Sequence, residues 1–135
     1  MKLDNMLLGT AELNDGVWVE SARWDGVEYL VVSRACPAFR SAQERQLAQD
    51  AHRGRRRRFD ARDAIERTTA LLVAHCLLDW RGIEAPDGST IDLTTAMREQ
   101  LLTDPGARQI LDDVIAAIDE VGEQDAEDIE EIAGN

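Results

Sequence analysis

Cysteine is scarce: Cys36 and Cys76 are the two in 135 residues. Two are too few to staple a small exported domain, so the expected setting is a reducing cytoplasm with two free thiols. No apolar run approaches the roughly 20 residues that a membrane helix needs. The opening Met1-Lys2-Leu3-Asp4-Asn5 places an acid where a signal peptide carries its apolar stretch. Neither export nor a membrane partner is expected. Also missing are a Gly-rich phosphate loop, Gly-Xaa-Ser-Xaa-Gly, His-Glu-Xaa-Xaa-His, Cys-Xaa-Xaa-Cys and an EF-hand loop. His75 and Cys76 are adjacent, so on a helix they point about 100° apart, a poor geometry for one metal; His52 and Cys36 stand alone. Internal repeats are absent as well. The expectation is a protein that is not an enzyme, with no catalytic, cofactor-binding or metal-ligating residues.

Basic residues are missing from one end of the chain. After Arg108 none occurs, while ten acids follow (112, 113, 119, 120, 123, 125, 127, 128, 130 and 131). That segment supplies −10 of the formal net charge of −12. Between Arg40 and Arg67 the balance reverses, with nine arginines against five acids. One part of the chain can attract the other, or the same part of a second copy; equally, both can be solvated surfaces. So acidic a chain disfavours general affinity for nucleic acid or anionic membrane. The run Arg53-Gly54-Arg55-Arg56-Arg57-Arg58, followed by Phe59, is the exception: it can grip phosphates, or an acidic protein surface.

What is present suits one ordinary domain. Hydrophobic residues make up 44% and charged residues 31%, and the length allows a core that folds unaided. Residues 17–21 and 27–33 are rich in β-branched and aromatic types, and Asp25-Gly26 lies between them, which predicts a short β-hairpin. Two strands alone are marginal in water, so the hairpin must lean on helices or on another copy's strands. Pro37 ends the strand region. Ser41 and Glu44 have capping-box spacing and predict a helix from there to about Ala51, poor in apolar residues and so exposed.

Asp60 caps the strongest predicted helix, 61–80, whose stripes (Ile65, Leu72 and Cys76; Ala64, Leu71 and Leu78) merge into one wide apolar face. Gly82 closes it. Pro86-Asp87-Gly88 predicts a turn. Thr94 caps a short helix through Leu102 that packs Met97 and Leu101, and Asp104-Pro105 stops one helix and starts the next. That last helix, 105–121, carries Ile110, Leu111, Val114, Ile115, Ile118 and Val121 on one side and Asp112, Asp113, Asp119 and Glu120 on the solvent side. Gly122 ends it. The fold class expected is mainly α: a small helical bundle with a short N-terminal β-hairpin. Residues 1–122 form the domain, and 123–135 form a flexible acidic tail.

Three tryptophans are candidate anchors. Trp80, at a helix end, reads as core; Trp24, at the hairpin tip, reads equally as packing or as partner contact. The candidate partner or self-association surface is Trp24 with Arg55, Arg56, Arg57, Arg58, Asp112, Asp113, Asp119 and Glu120.

The segment Leu78-Asp79-Trp80-Arg81-Gly82-Ile83, then Pro86-Asp87-Gly88, then Leu93-Thr94 and Leu101-Leu102, resembles the tail assembly chaperones of long-tailed bacteriophages with non-contractile tails. There a helix ending in Asp-Trp-Xaa-Gly runs into an Asp-Gly turn and a Thr-capped helix with a Leu-Leu pair. The resemblance covers roughly residues 17–120. It implies a mainly helical, self-associating helper of tail assembly in the bacterial host cytoplasm. Such a protein binds and solubilises the tape-measure protein and is absent from the mature virion. A longer frameshifted form, often made in that family, implies contact with the tail-tube protein. Asp79, Trp80, Gly82, Asp87, Gly88 and Thr94 match its motif and read as scaffold. The alternatives are a nucleic-acid-binding accessory protein using Arg53–Arg58 and a structural component of the virion.

Overall fold

The structure, a computed structural model, describes residues 15–53 and 61–133, with side chains for 15–52 and 62–123. Strand β1 (Val17–Glu20) and strand β2 (Glu28–Val31) form the expected hairpin, with Val17 opposite Val31 and Glu20 opposite Glu28. Helix α1 (Pro37–Arg53) and helix α2 (Ala61–His75) then pack against each other. Strand β3 (Leu77–Arg81) returns to β2 and completes a three-stranded antiparallel sheet in the order β1-β2-β3. Helix α3 (Thr95–Thr103), a 3-10 turn (Pro105–Ala107) and helix α4 (Arg108–Ala133) finish the described chain.

The helical-bundle expectation is therefore wrong: the protein is a mixed α+β domain whose sheet is central. The error lies at residues 76–80, read from the sequence as the last turns of a helix. Leu72 and Val73 are buried on α2, and Cys76, Leu77 and Trp80 are buried beyond its end, so apolar spacing alone runs straight across the boundary. Two physical facts break the helix there. The free edge of β2 needs a backbone partner, which β3 supplies through Tyr29 opposite Trp80 and Glu28 opposite Arg81. Arg98 of α3 then occupies the end of α2. Its guanidinium donates to the carbonyl of Val73 (2.5 Å), one of those a terminating helix leaves unpaired, and to the carbonyls of Leu77 and Leu78 (3.3 Å) at the start of β3. Burial holds the Arg98 pKa below its ordinary value, but the group stays a cation in any accessible pH range. Arg98→Ala is expected to cost about 2 kcal/mol by orphaning those carbonyls. Arg98→Lys should recover only part of it, because one ammonium cannot span three acceptors; urea denaturation of the three proteins measures both.

The hairpin thus leans on a strand of its own chain, so its two strands no longer argue for a second copy. Its inner face (Tyr29 and Val31, with Leu77 and Trp80 of β3) packs on Leu111, Val114, Ala117, Ile118 and Val121 of α4, with Phe39, Leu72 and Leu101 closing the sides. These α4 positions keep the three- and four-residue steps expected, and each large buried side chain contributes roughly 1.5–3 kcal/mol.

Two further boundaries differ. Helix α1 starts at Pro37, four residues before the Ser41–Glu44 box, because proline is pre-shaped for a first helical turn and Phe39 and Ala42 find core contacts there. Helix α4 runs through Gly122 to Ala133, so the acidic residues expected as a separate tail after 122 continue the helix. Gly122 keeps a negative φ rather than the positive φ of a helix-ending glycine.

The local punctuation agrees with expectation. Thr94 accepts from the Met97 N–H (3.2 Å) and caps α3, and Asp104 accepts from the Gly106 N–H (2.8 Å) ahead of Pro105.

Candidate functional site

The sheet, the 82–94 connector and the start of α4 meet in a cleft of about 240 Å³ lined by Trp24, Val27, Tyr29, Gly82, Ile83, Glu84 and Ile110. Its walls are almost wholly apolar. Trp24, on the hairpin loop, is 37% exposed, a large fraction for an indole that also lines a concave surface.

Three devices hold the cleft in shape. Ser21, just after β1, donates its hydroxyl proton to Asp113 of α4 (2.5 Å) and accepts from the N–H groups of Arg23 (3.1 Å) and Trp24 (3.0 Å). The loop that carries the indole is therefore tied to α4 through one hydroxyl. Tyr29, fully buried, donates to the same Asp113 carboxylate (2.8 Å) and forms the cleft floor. On the opposite wall, Gly82 (φ 85°) lets the end of β3 sit against the backbone of Gly26, bringing Ile83 and Glu84 to the hairpin tip.

Burial, reinforced by the hydrogen bond and charge of Asp113, holds the Tyr29 phenol well above the ordinary tyrosine range. A group whose folded pKa is raised contributes stability that is complete below its unfolded pKa, near 10, and lost as pH rises through the folded value. Tyr29 is the one tyrosine of the sequence, so phenolate absorbance at 295 nm follows it alone. The absorbance is expected to rise only together with loss of the far-ultraviolet helix signal. A reversible titration near pH 10 in folded protein would show the phenol to be accessible.

The residues singled out from the sequence scatter. Trp24 lines the cleft. Asp113, paired in sequence with Asp112 as solvated surface, is 3% exposed and structural, so it cannot meet a partner. Asp112 is exposed and pairs with Arg108 (3.2 Å), Asp119 pairs with Arg34 (3.0 Å), and Glu120 is exposed. Arg55, Arg56, Arg57 and Arg58 lie outside the described residues.

Asp79 is exposed on β3, where its carboxylate accepts from the Trp80 N–H. Trp80 is buried, and its indole donates to the Ile91 carbonyl (2.9 Å), fastening the connector to the sheet. Asp87 and Gly88 form the expected turn. The Asp87 carboxylate accepts from the Ser89 hydroxyl (2.6 Å) and N–H (3.0 Å), which holds its pKa below the ordinary value.

Sequence reasoning missed Ser21, Tyr29 and Glu84 altogether and read Ile110 as core; only Trp24 carried a signal, as a large aromatic beside a turn.

A second unpartnered surface lies on the helix pair. From Gln43 to His52 of α1 and from Arg62 to Leu71 of α2 no residue is buried, and Leu47 and Ile65 are 63% and 67% exposed. Ile65 was expected on the apolar face of its helix; in the structure it faces solvent. The Arg67–Asp50 ion pair (2.5 Å) links the two helices there, an interaction worth less than about 1 kcal/mol at such exposure.

Among the described residues no group of His, Cys, Asp and Glu could hold a metal ion, and no helix is long and apolar enough to cross a membrane. The family described as YdaY prophage protein matches residues 34–135, which takes in α1 through α4 and leaves the hairpin outside. No curated protein and no solved structure is similar to the chain.

Proposed function

Because this chain belongs to the YdaY prophage protein family, we propose that it serves phage tail assembly as a non-enzymatic chaperone that binds and solubilises the tape-measure protein. Membership of a prophage family supplies the setting. The resemblance of residues 78–102 to tail assembly chaperones supports the finer reading, although Asp79-Trp80-Arg81-Gly82 is a strand and its bend here, not a helix end.

The observation that carries the reading is the Trp24 cleft. An exposed indole on an apolar, pre-shaped concavity is the kind of anchor site that dominates binding of another protein's apolar side chains. A long tape-measure helix would otherwise aggregate through such side chains, and a carrier of net charge −12 would keep the complexes apart. The same reading has the protein act in the host cytoplasm, associate with itself, and leave before the virion is complete. A longer frameshifted form would contact the tail-tube protein.

Co-expression with the tape-measure protein of the same prophage tests it. The wild-type chain should hold that protein in the soluble fraction and co-purify with it. Trp24→Ala, at an exposed position, should fold normally and lose at least about tenfold in affinity. A tape-measure protein that stays insoluble beside the wild-type chain would refute the proposal, as would finding the chain in finished particles.

A further inference from the structure

We propose that the Trp24 cleft selects a helical peptide segment in which an aliphatic side chain lies next to a lysine or arginine. The aliphatic group fills the cleft and the cation pairs with Glu84. This rests on the docking reading above and names the chemistry of what docks.

Size comes first. An apolar cavity of roughly 150 Å³ takes a benzene-sized group, so a cleft of about 240 Å³ takes one leucine, methionine or phenylalanine with part of its neighbour. Val27, Ile83 and Ile110 offer no donor or acceptor side chain, so the occupant must itself be apolar at that point.

Charge decides the rest. Glu84 is the one charged residue among those lining the cleft. It is exposed, and among the described residues no hydrogen bond or ion pair engages its carboxylate. The indole of Trp24 also lines the cleft, and an aromatic ring's face favours a cation over an anion. Arg23, next to Trp24 in sequence, is not part of the lining. The field of the whole molecule, at −12, draws basic segments in and repels acidic ones. A long amphipathic helix with leucines on one side and lysines beside them meets each condition, whereas a leucine–glutamate helix of the same shape meets only the first.

The test uses the full chain and two fluorescein-labelled, 18-residue helical peptides, alike in leucine positions and differing in lysine or glutamate at the flanking sites. Binding is read by anisotropy at physiological salt. The lysine peptide should bind, and Trp24→Ala should weaken it by about tenfold or more. Glu84→Gln should weaken it by about threefold to fivefold, in keeping with a rim ion pair. Glu99→Gln, an exposed acid on α3 outside the cleft, should leave it unchanged. Equal affinity for both peptides would overturn the inference, as would unchanged affinity in Glu84→Gln or an equal loss in Glu99→Gln. So would failure of the lysine peptide to bind. In all of these cases co-purification of the tape-measure protein still decides the docking reading separately.

Discussion

Gly82→Ala is expected to destabilise the protein by about 4 kcal/mol, combining two separate costs. A residue with a Cβ at φ 85° costs about 1–2 kcal/mol relative to glycine. The new methyl group would also stand 1.9 Å from the Gly26 carbonyl oxygen and 3.1 Å from the Val27 Cα. Both are backbone atoms, so no side-chain rotation relieves the overlap. Either the hairpin tip or the end of β3 must retreat, and the remaining cost is that of overpacking, roughly 1–3 kcal/mol. With total stabilities of about 5–15 kcal/mol, this is a large fraction of what holds the fold.

Gly88→Ala separates the two costs. Its φ of 87° is equally strained, but nothing lies within 4 Å of the added Cβ. It should lose only about 1–2 kcal/mol. Chemical denaturation of both variants tests the comparison, and equal losses would mean that the Gly26–Gly82 approach contributes nothing. Gly82→Ala should also weaken partner binding beyond its effect on folding, because Ile83 and Glu84 ride on the displaced wall of the cleft.

Asp113→Ala is expected to cost about 3 kcal/mol, a value set by the loss of two hydrogen bonds to a charged, buried acceptor. The buried phenol of Tyr29 loses its acceptor. Ser21 keeps its bonds to the loop amides but loses its hold on α4, so Trp24 is freed from the helix. For a chain of this size the melting temperature should fall by about 10 °C. Neighbouring Asp112→Ala, which breaks only an exposed pair with Arg108 one turn away, should cost less than about 0.5 kcal/mol. A difference of less than 1 kcal/mol between these adjacent aspartates would contradict the role given to Asp113.

That contrast also shows what a sequence conceals. Asp112 and Asp113 are an acidic doublet on one helix, and nothing local separates them. Their fates differ because the partners of Asp113, Tyr29 and Ser21, lie 84 and 92 residues away. Strand β3 was hidden for a related reason. Its leucines continue the apolar pattern of α2, and the strand edge that claims them belongs to a hairpin on the far side of the helix pair. Ile65 misled in the opposite direction: its spacing fits an apolar face, but the core reaches only the last turns of α2.

Features fixed within a few residues were legible. The hairpin, the Thr94 cap, the Asp104-Pro105 restart, the turn at Pro86-Asp87-Gly88 and the α4 stripe all follow from adjacent side chains and backbone preferences. The candidate site was barely legible, because a cleft made by three separated segments leaves no motif. Trp24 stood out only as an aromatic beside a turn, read equally as packing or as partner contact.

The most direct test of docking at the cleft is ¹⁹F NMR of protein labelled with 5-fluorotryptophan, alone and mixed with the tape-measure protein proposed as its partner. Trp18, Trp24 and Trp80 give three signals, and Trp24→Phe identifies one of them. Complex formation should shift the Trp24 signal and remove its sensitivity to solvent, while buried Trp80 keeps its position. A complex that forms with the Trp24 signal unmoved would contradict docking there.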